Sequence, residues 1–461
     1  MRTHDRPISR RKMLQFAGAS GLAAGLPGTV AARISAPGST GPIKPGKACI
    51  FVLLCGGPSH LDMWDMKPDA PAEIRGPFKP AQTSVPGMRI SELHTHLPKL
   101  AKDICLIRSM SHVGNISNHF DAMHHLLSGQ SDAPLDSPYL GSILAKQRPS
   151  QRAMASYVWL IKCVGDPVFC APGLATGGNL GPQYAPLFVG DAVNNPAVPS
   201  FKAPDSLIPA EVPERLLGRQ SLLEGINQVG GTSEEGWKGV QKRGFEMATS
   251  IETRQAFDMD REDPRLRDRY GRNPLGQNLL LARRLVESGV GFVTVNGWAG
   301  KSPTDKLGGP PASSWDMHGS NMGMGNAFGD GSYGMGFCLP RLDQALGALI
   351  VDLKERGMLE DTLVVALGEF GRTPKIIPGE NPGRQHWPSC YPAMLAGGGV
   401  KGGQVYGESD KIGAFVKDKP VRMQELSATI FHALGVPYEA RVTKEGLTKP
   451  LSTGTPLDIL E

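Results

Sequence analysis

The chain's 11 histidines are unevenly spread. His60, His94, His96, His112, His119, His124 and His125 fall within one N-terminal stretch, whereas His318 and His386 belong to two later motifs, Trp315-Asp316-Met317-His318 and Gly383-Arg384-Gln385-His386-Trp387. Imidazoles and carboxylates drawn from distant segments, each beside a glycine-bounded loop, are the donor types that hold a divalent cation. Asp316 and His318 are two apart, so an extended loop turns both toward one ion. Asp62 follows Gly56-Gly57-Pro58-Ser59-His60-Leu61, and Glu369 follows Gly368. No helix or strand face accounts for a charge at either place, which favours a ligand role. Arg372 and Arg384 carry the planar fork that takes an oxyanion bidentately; pinning loops is the equal alternative. His124 and His125 read as a half-buried helical pair, and His94 and His96 as solvent-facing loop residues.

Elements must bring these groups together. Ile50-Phe51-Val52-Leu53-Leu54-Cys55 is apolar without alternation, the pattern of a strand buried on both faces. It breaks at Gly56-Gly57-Pro58. The run Thr362-Leu363-Val364-Val365-Ala366-Leu367 breaks in the same way at Gly368-Glu369-Phe370-Gly371-Arg372. In open α/β sheets, ligands sit beyond the carboxyl ends of strands. Further strands are expected at 104–108, 157–163, 290–295 and 393–396. Helical spacing covers 118–127, 213–258, 275–288, 338–356 and 422–434. Residues 165–210, rich in Gly, Pro and Asn, read as a surface excursion. This alternation predicts an α/β fold with a largely parallel central sheet between helices.

The N-terminus reads differently. Ser9-Arg10-Arg11-Lys12 precedes a mildly apolar stretch too short and weak to stay in a bilayer, with small residues at Ala31, Ala32 and Ala36. This is the pattern of a twin-arginine signal peptide over 1–36. A Pro- and Gly-rich linker follows over 37–47, then a single domain over 48–461. The partner implied is the twin-arginine export machinery, and the address periplasmic or extracellular. The formal charge of +5 resides entirely in residues 1–36, where six basic side chains face Asp5 alone. A neutral mature chain gives no argument for nucleic-acid binding. The 7 cysteines are scattered and odd in number, with no C-x-x-C pair. Neither a thiolate zinc site nor a disulfide framework is indicated by that spacing, and no permanent membrane span is expected in the mature chain.

Several phrases together resemble a large bacterial family of exported proteins catalogued as a domain of unknown function and labelled sulfatase-like. They are Gly56-Gly57-Pro58-Ser59-His60-Leu61-Asp62-Met63-Trp64-Asp65, Ile74-Arg75-Gly76-Pro77-Phe78, Gly368 to Pro374, Gly383 to Trp387 and Val405-Tyr406-Gly407. That family is similar to a distant branch of the alkaline phosphatase superfamily. The resemblance implies an alkaline phosphatase-like fold and a divalent metal bound by Asp62, Asp316, His318, Glu369 and His386. It also implies substrate contacts from His60, Arg372 and Arg384. Sulfatases carry a Cys or Ser ten residues before a helix-closing glycine. Counting back from Gly129 reaches His119, which stands in the catalytic position as nucleophile, base or ligand. Phe370 stands where the superfamily has a histidine, and Gln385 where the family has Asp. The expected activity is hydrolysis of phosphate or sulfate esters of small molecules or polysaccharides. The alternative is a non-catalytic binding protein that retains the fold.

Overall fold

The apolar run near residue 50 folds as β1, Ala48–Leu53, with every residue buried. Side chains alternate across a strand. Ile50 and Val52 therefore enter one core layer, and Cys49, Phe51 and Leu53 the other. The computed structural model describes residues 47–161, 177–205, 207, 213–229, 235–305, 314–444 and 447–461. The expected signal peptide, nearly all of the linker, and Cys163 and Cys170 lie outside the described residues.

β1 lies inside an eight-stranded sheet with β2 (Ile104–Met110), β3 (Tyr157–Leu160), β4 (Leu187–Val189), β5 (Phe292–Asn296), β6 (Thr362–Leu367), β7 (Tyr391–Ala396) and β8 (Gln404–Tyr406). Their order is β8-β2-β7-β6-β1-β5-β3-β4. β1 pairs in parallel with β5 and β6, setting Val52 opposite Val295 and Ala366. Only β7 runs against its neighbours, β2 and β6. The largely parallel sheet between helices is thus as expected. The antiparallel strand is a departure, since a fully buried apolar run carries no mark of direction.

Described helices include α1 (His119–Ser128), α2 (Leu140–Gln147), α3 (Pro213–Val229), α4 (Glu235–Thr249), α5 (Ile251–Phe257), α6 (Pro274–Glu287), α7 (Met335–Glu355) and α8 (Met423–Ala433). α6 and α7 cover one sheet face through Leu279, Leu285, Leu342 and Leu349. α1, α2 and α8 cover the other through Leu126, Leu144, Leu426 and Ile430. The helical stretch expected over 213–258 divides in three. Its last break falls where Ser250 accepts the Thr253 amide and starts α5. β4 lies inside the excursion expected over 165–210.

Two glycines make the turn after β1. Gly56 and Gly57 have φ of +114° and +71°, which side chains rarely adopt. A Cβ on Gly56 would meet the Asp316 amide nitrogen at 2.3 Å, and one on Gly57 the Phe370 ring at 2.5 Å. Only bare backbone lets the three loops close this tightly.

Candidate metal centre

Loops from three regions meet beyond the carboxyl ends of β1, β5 and β6. The Trp315 amide donates to the Cys55 carbonyl and its indole Nε1 to the Gly297 carbonyl, at 3.3 and 2.8 Å. Asp316 is thereby held at the end of β1. The Arg384 amide donates to the Met317 carbonyl at 2.9 Å. A short antiparallel ribbon sets His386 opposite Arg372. His119 opens α1, where Asn118 caps the helix by accepting the Asp121 amide.

His119, Asp316, His318 and His386 converge, each offering a ligand atom within 4.8 Å of the others. The outer nitrogen of each ring is committed. His119 Nδ1 donates to Glu369 Oε1 at 2.6 Å, and His318 Nδ1 to the Gln385 amide oxygen at 2.7 Å. His386 Nδ1 donates to the Ser117 carbonyl at 2.6 Å. A neutral imidazole with its hydrogen on Nδ1 carries a lone pair on Nε2. The inner Nε2 atoms of His119, His318 and His386 lie 3.4, 3.0 and 3.5 Å from the Asp316 carboxylate, and those of His318 and His386 lie 2.7 Å apart. Two lone pairs that close repel unless a proton or a cation stands between them. Three outward-tied imidazoles with one carboxylate is the donor chemistry of a tetrahedral zinc-type site, with partners fixing each ring.

The same contacts set the electrostatics of the cluster. Burial alone would raise the Asp316 pKa. The imidazoles of His119, His318 and His386 and the Arg372 charge override it and hold the group far below the carboxylate range. Burial would likewise lower His119, but Asp316 and Glu369 hold it above the ordinary value. For His386, burial wins and the pKa falls to about 4. The side chain of His386 is 16% exposed against 6% or less for the other three, so the cluster opens on its side.

The other expected site residues lie around this cluster rather than in it. Glu369 sits behind His119 and also accepts the Gly56 amide at 2.9 Å. Asp62 is buried against Arg384, Nε to Oδ2 at 2.8 Å, and also accepts the Ser59 hydroxyl. Arg384 further donates to the Ile74, Thr373 and Pro374 carbonyls. Arg372 is fully buried and donates to Asp316 and to the Gly56, Gly57, Trp315 and Arg384 carbonyls. His60 is buried, with Nε2 2.7 Å from the Gly413 carbonyl. Among the loop histidines, His96 is exposed, but His94 is buried and donates to Asp343, contrary to a solvent-facing role. His124 is buried and His125 half-buried on α1. Gln385 was noted only as standing where the family has Asp, and Ser117 was absent from the expected site; a main-chain oxygen leaves no pattern in sequence, and adjacency to the Asn118 cap was the available signal for Ser117.

The sequence profile of a family described as "Protein of unknown function (DUF1501)" matches residues 46–458. None of the curated proteins matches the chain. Solved structures similar to it include a sulfatase from Pseudoalteromonas sp., 15% identical, covering 90% of this chain and 72% of that one, with a TM-score of 0.37. A phosphonate monoester hydrolase from Silicibacter pomeroyi is 14% identical, with 89% and 76% covered and a TM-score of 0.34. An alkaline phosphatase from the Antarctic bacterium TAB5 is 14% identical, with 81% and 97% covered and a TM-score of 0.35.

Proposed function

The chain belongs to the DUF1501 family, and within that family we propose that it is an exported, metal-dependent hydrolase of phosphate or sulfate esters. One observation carries the reading: three histidines, each tied through Nδ1, aim Nε2 at a single buried carboxylate. His119, Asp316, His318 and His386 are the proposed ligands. Glu369 fixes the His119 tautomer, and Arg372 holds Asp316 ionised. Asp62 and Arg384 brace the loops, a change from the ligand and substrate roles that the motif resemblance implied for them. A divalent cation supplies Lewis acidity to an ester oxygen and acidifies bound water. The open flank at His386 is where a substrate, small molecule or polysaccharide, would enter.

One observation favours a non-catalytic metal-binding protein instead. Every nitrogen of Arg372 is committed to protein oxygens, so this cation is not free to grip a transferred anion. Metal content and turnover of aryl phosphates and sulfates by the purified full chain separate the readings. Stoichiometric metal and turnover, both lost in His386→Ala, support the hydrolase. Metal without turnover across the panel supports the binding protein. A metal-free protein that takes up no added divalent ion overturns both.

The proposal includes export by the twin-arginine route, supported by Arg10-Arg11 ahead of a weak apolar stretch. Among the described residues, no helix is long and apolar enough to cross a membrane.

A further inference from the structure

A second buried cluster lies away from the three-histidine centre. His60, Asp65 and Cys390 each offer a ligand atom within 4.8 Å of the others, and all three are buried. His60 comes from the turn after β1, Asp65 three residues beyond its short helical turn, and Cys390 from the residue before β7. His60 Nε2 faces the Gly413 carbonyl at 2.7 Å, an acceptor only, so Nε2 carries the hydrogen. Nδ1 therefore presents a lone pair, and among the described residues this buried atom has no hydrogen-bond partner. Buried polar atoms without partners are rare and ask for an explanation. Gly371 leaves the room: a Cβ there would come within 2.9 Å of His60 Nδ1.

The other two donors suit the same occupant. Lys67 and Arg108 approach Asp65 through Oδ1, at 2.9 and 3.7 Å. Oδ2 accepts the neutral hydroxyl of Ser409, which also lies against Cys390. The Cys390 sulfur donates weakly to the Arg108 carbonyl at 3.7 Å, with the Ser409 hydroxyl beside it. Nitrogen, carboxylate and sulfur donors with a hydroxyl beside them match a borderline-soft ion.

We infer that His60, Asp65 and Cys390 form a second, structural zinc site, with Ser409 as the neighbouring oxygen. Binding releases the Cys390 thiol proton to water and leaves a thiolate on the ion. The site locks the turn after β1 to the entrance of β7. Because it is closed to solvent, the ion enters as the chain folds.

The sulfur gives the test its own signature, since the three-histidine centre contains none. Full-length protein produced in cobalt-supplemented medium is expected to show a near-ultraviolet thiolate-to-cobalt charge-transfer band. Cys390→Ser abolishes that band and lowers metal content by one full equivalent, while the visible bands of the other centre persist. His386→Ala does the reverse. Cobalt-bearing wild-type protein that lacks the thiolate band overturns the assignment, whether or not Cys390→Ser folds. Unchanged metal content in a folded Cys390→Ser protein overturns it as well.

Discussion

Glu369 and His119 lie 250 residues apart and share a hydrogen bond of 2.6 Å. The same carboxylate accepts the Gly56 amide, so it joins the end of β1 to the start of α1. Its charge makes His119 Nε2 more basic toward an ion. Glu369→Gln keeps the shape and removes the charge. Metal affinity is expected to fall about 10- to 100-fold, as for other partners of metal-bound histidines. Titration with a competing chelator measures it; unchanged affinity would remove Glu369 from the centre.

Asp62 and His386 separate bracing from ligation. Removing one partner of a buried ion pair costs roughly 3–5 kcal/mol. Asp62→Ala leaves the Arg384 charge buried without its partner. It should lower the denaturant midpoint and leave the metal content of folded protein intact. His386→Ala should do the opposite, losing metal with a smaller change in metal-free stability. Metal loss in folded Asp62→Ala protein would return Asp62 to the ligand set.

Chelation should register as a loss of stability. An ion present at 100 times its dissociation constant adds about 2.7 kcal/mol to the native state. Denaturant unfolding with and without chelator measures the difference. His318→Ala protein should respond much less to the chelator, having lost the strand-end ion.

Acid should act through Asp343. Its carboxylate accepts the Thr95, His96 and Leu97 amides at 2.6, 2.7 and 2.9 Å, and His94 Nδ1 at 3.1 Å. Burial alone would raise its pKa, but His94 and the Leu97 and His96 amides hold it below the ordinary value. A depressed folded-state pKa means that the contribution is fully present above the unfolded value of about 3.9. It is lost as pH falls through the lower, folded value. Asp343→Asn should cost about 2 kcal/mol at neutral pH. Unfolding measured from pH 7 down to the acid limit should show that gap narrowing below pH ~4; a constant gap would contradict the ion's role.

Residues 50–55 and 362–367 announced their strands because a core covered on both faces selects apolar side chains at every position. Strand direction is absent from that signal, so the reversal of β7 was illegible. Asp316, His318 and His386 stood out as polar groups in glycine-framed loops. The same criterion also selected Asp62, because a buried carboxylate facing a guanidinium and one facing a ring of imidazoles look alike in sequence. Spacing alone did not separate Glu369 from the ligands, since one hydrogen bond to His119 moves it behind the ring. Cys390 was one of seven scattered cysteines with no C-x-x-C partner; its neighbours His60 and Asp65 are more than 300 positions earlier and only the fold reveals them.

The reversal of β7 has a kinetic consequence. Segments that follow parallel strands reach this end of the sheet as each strand forms, but the segment bearing His386 arrives by preceding its strand. The cluster spans His119 to His386, so it is complete only after most of the chain has been synthesised and β7 has docked between β2 and β6. Such long-range closure is slow relative to local helix formation. Metal capture at the proposed centre is therefore expected to be a late event that reports completed assembly of the sheet, and a truncated or half-folded chain should pass through the cell without it.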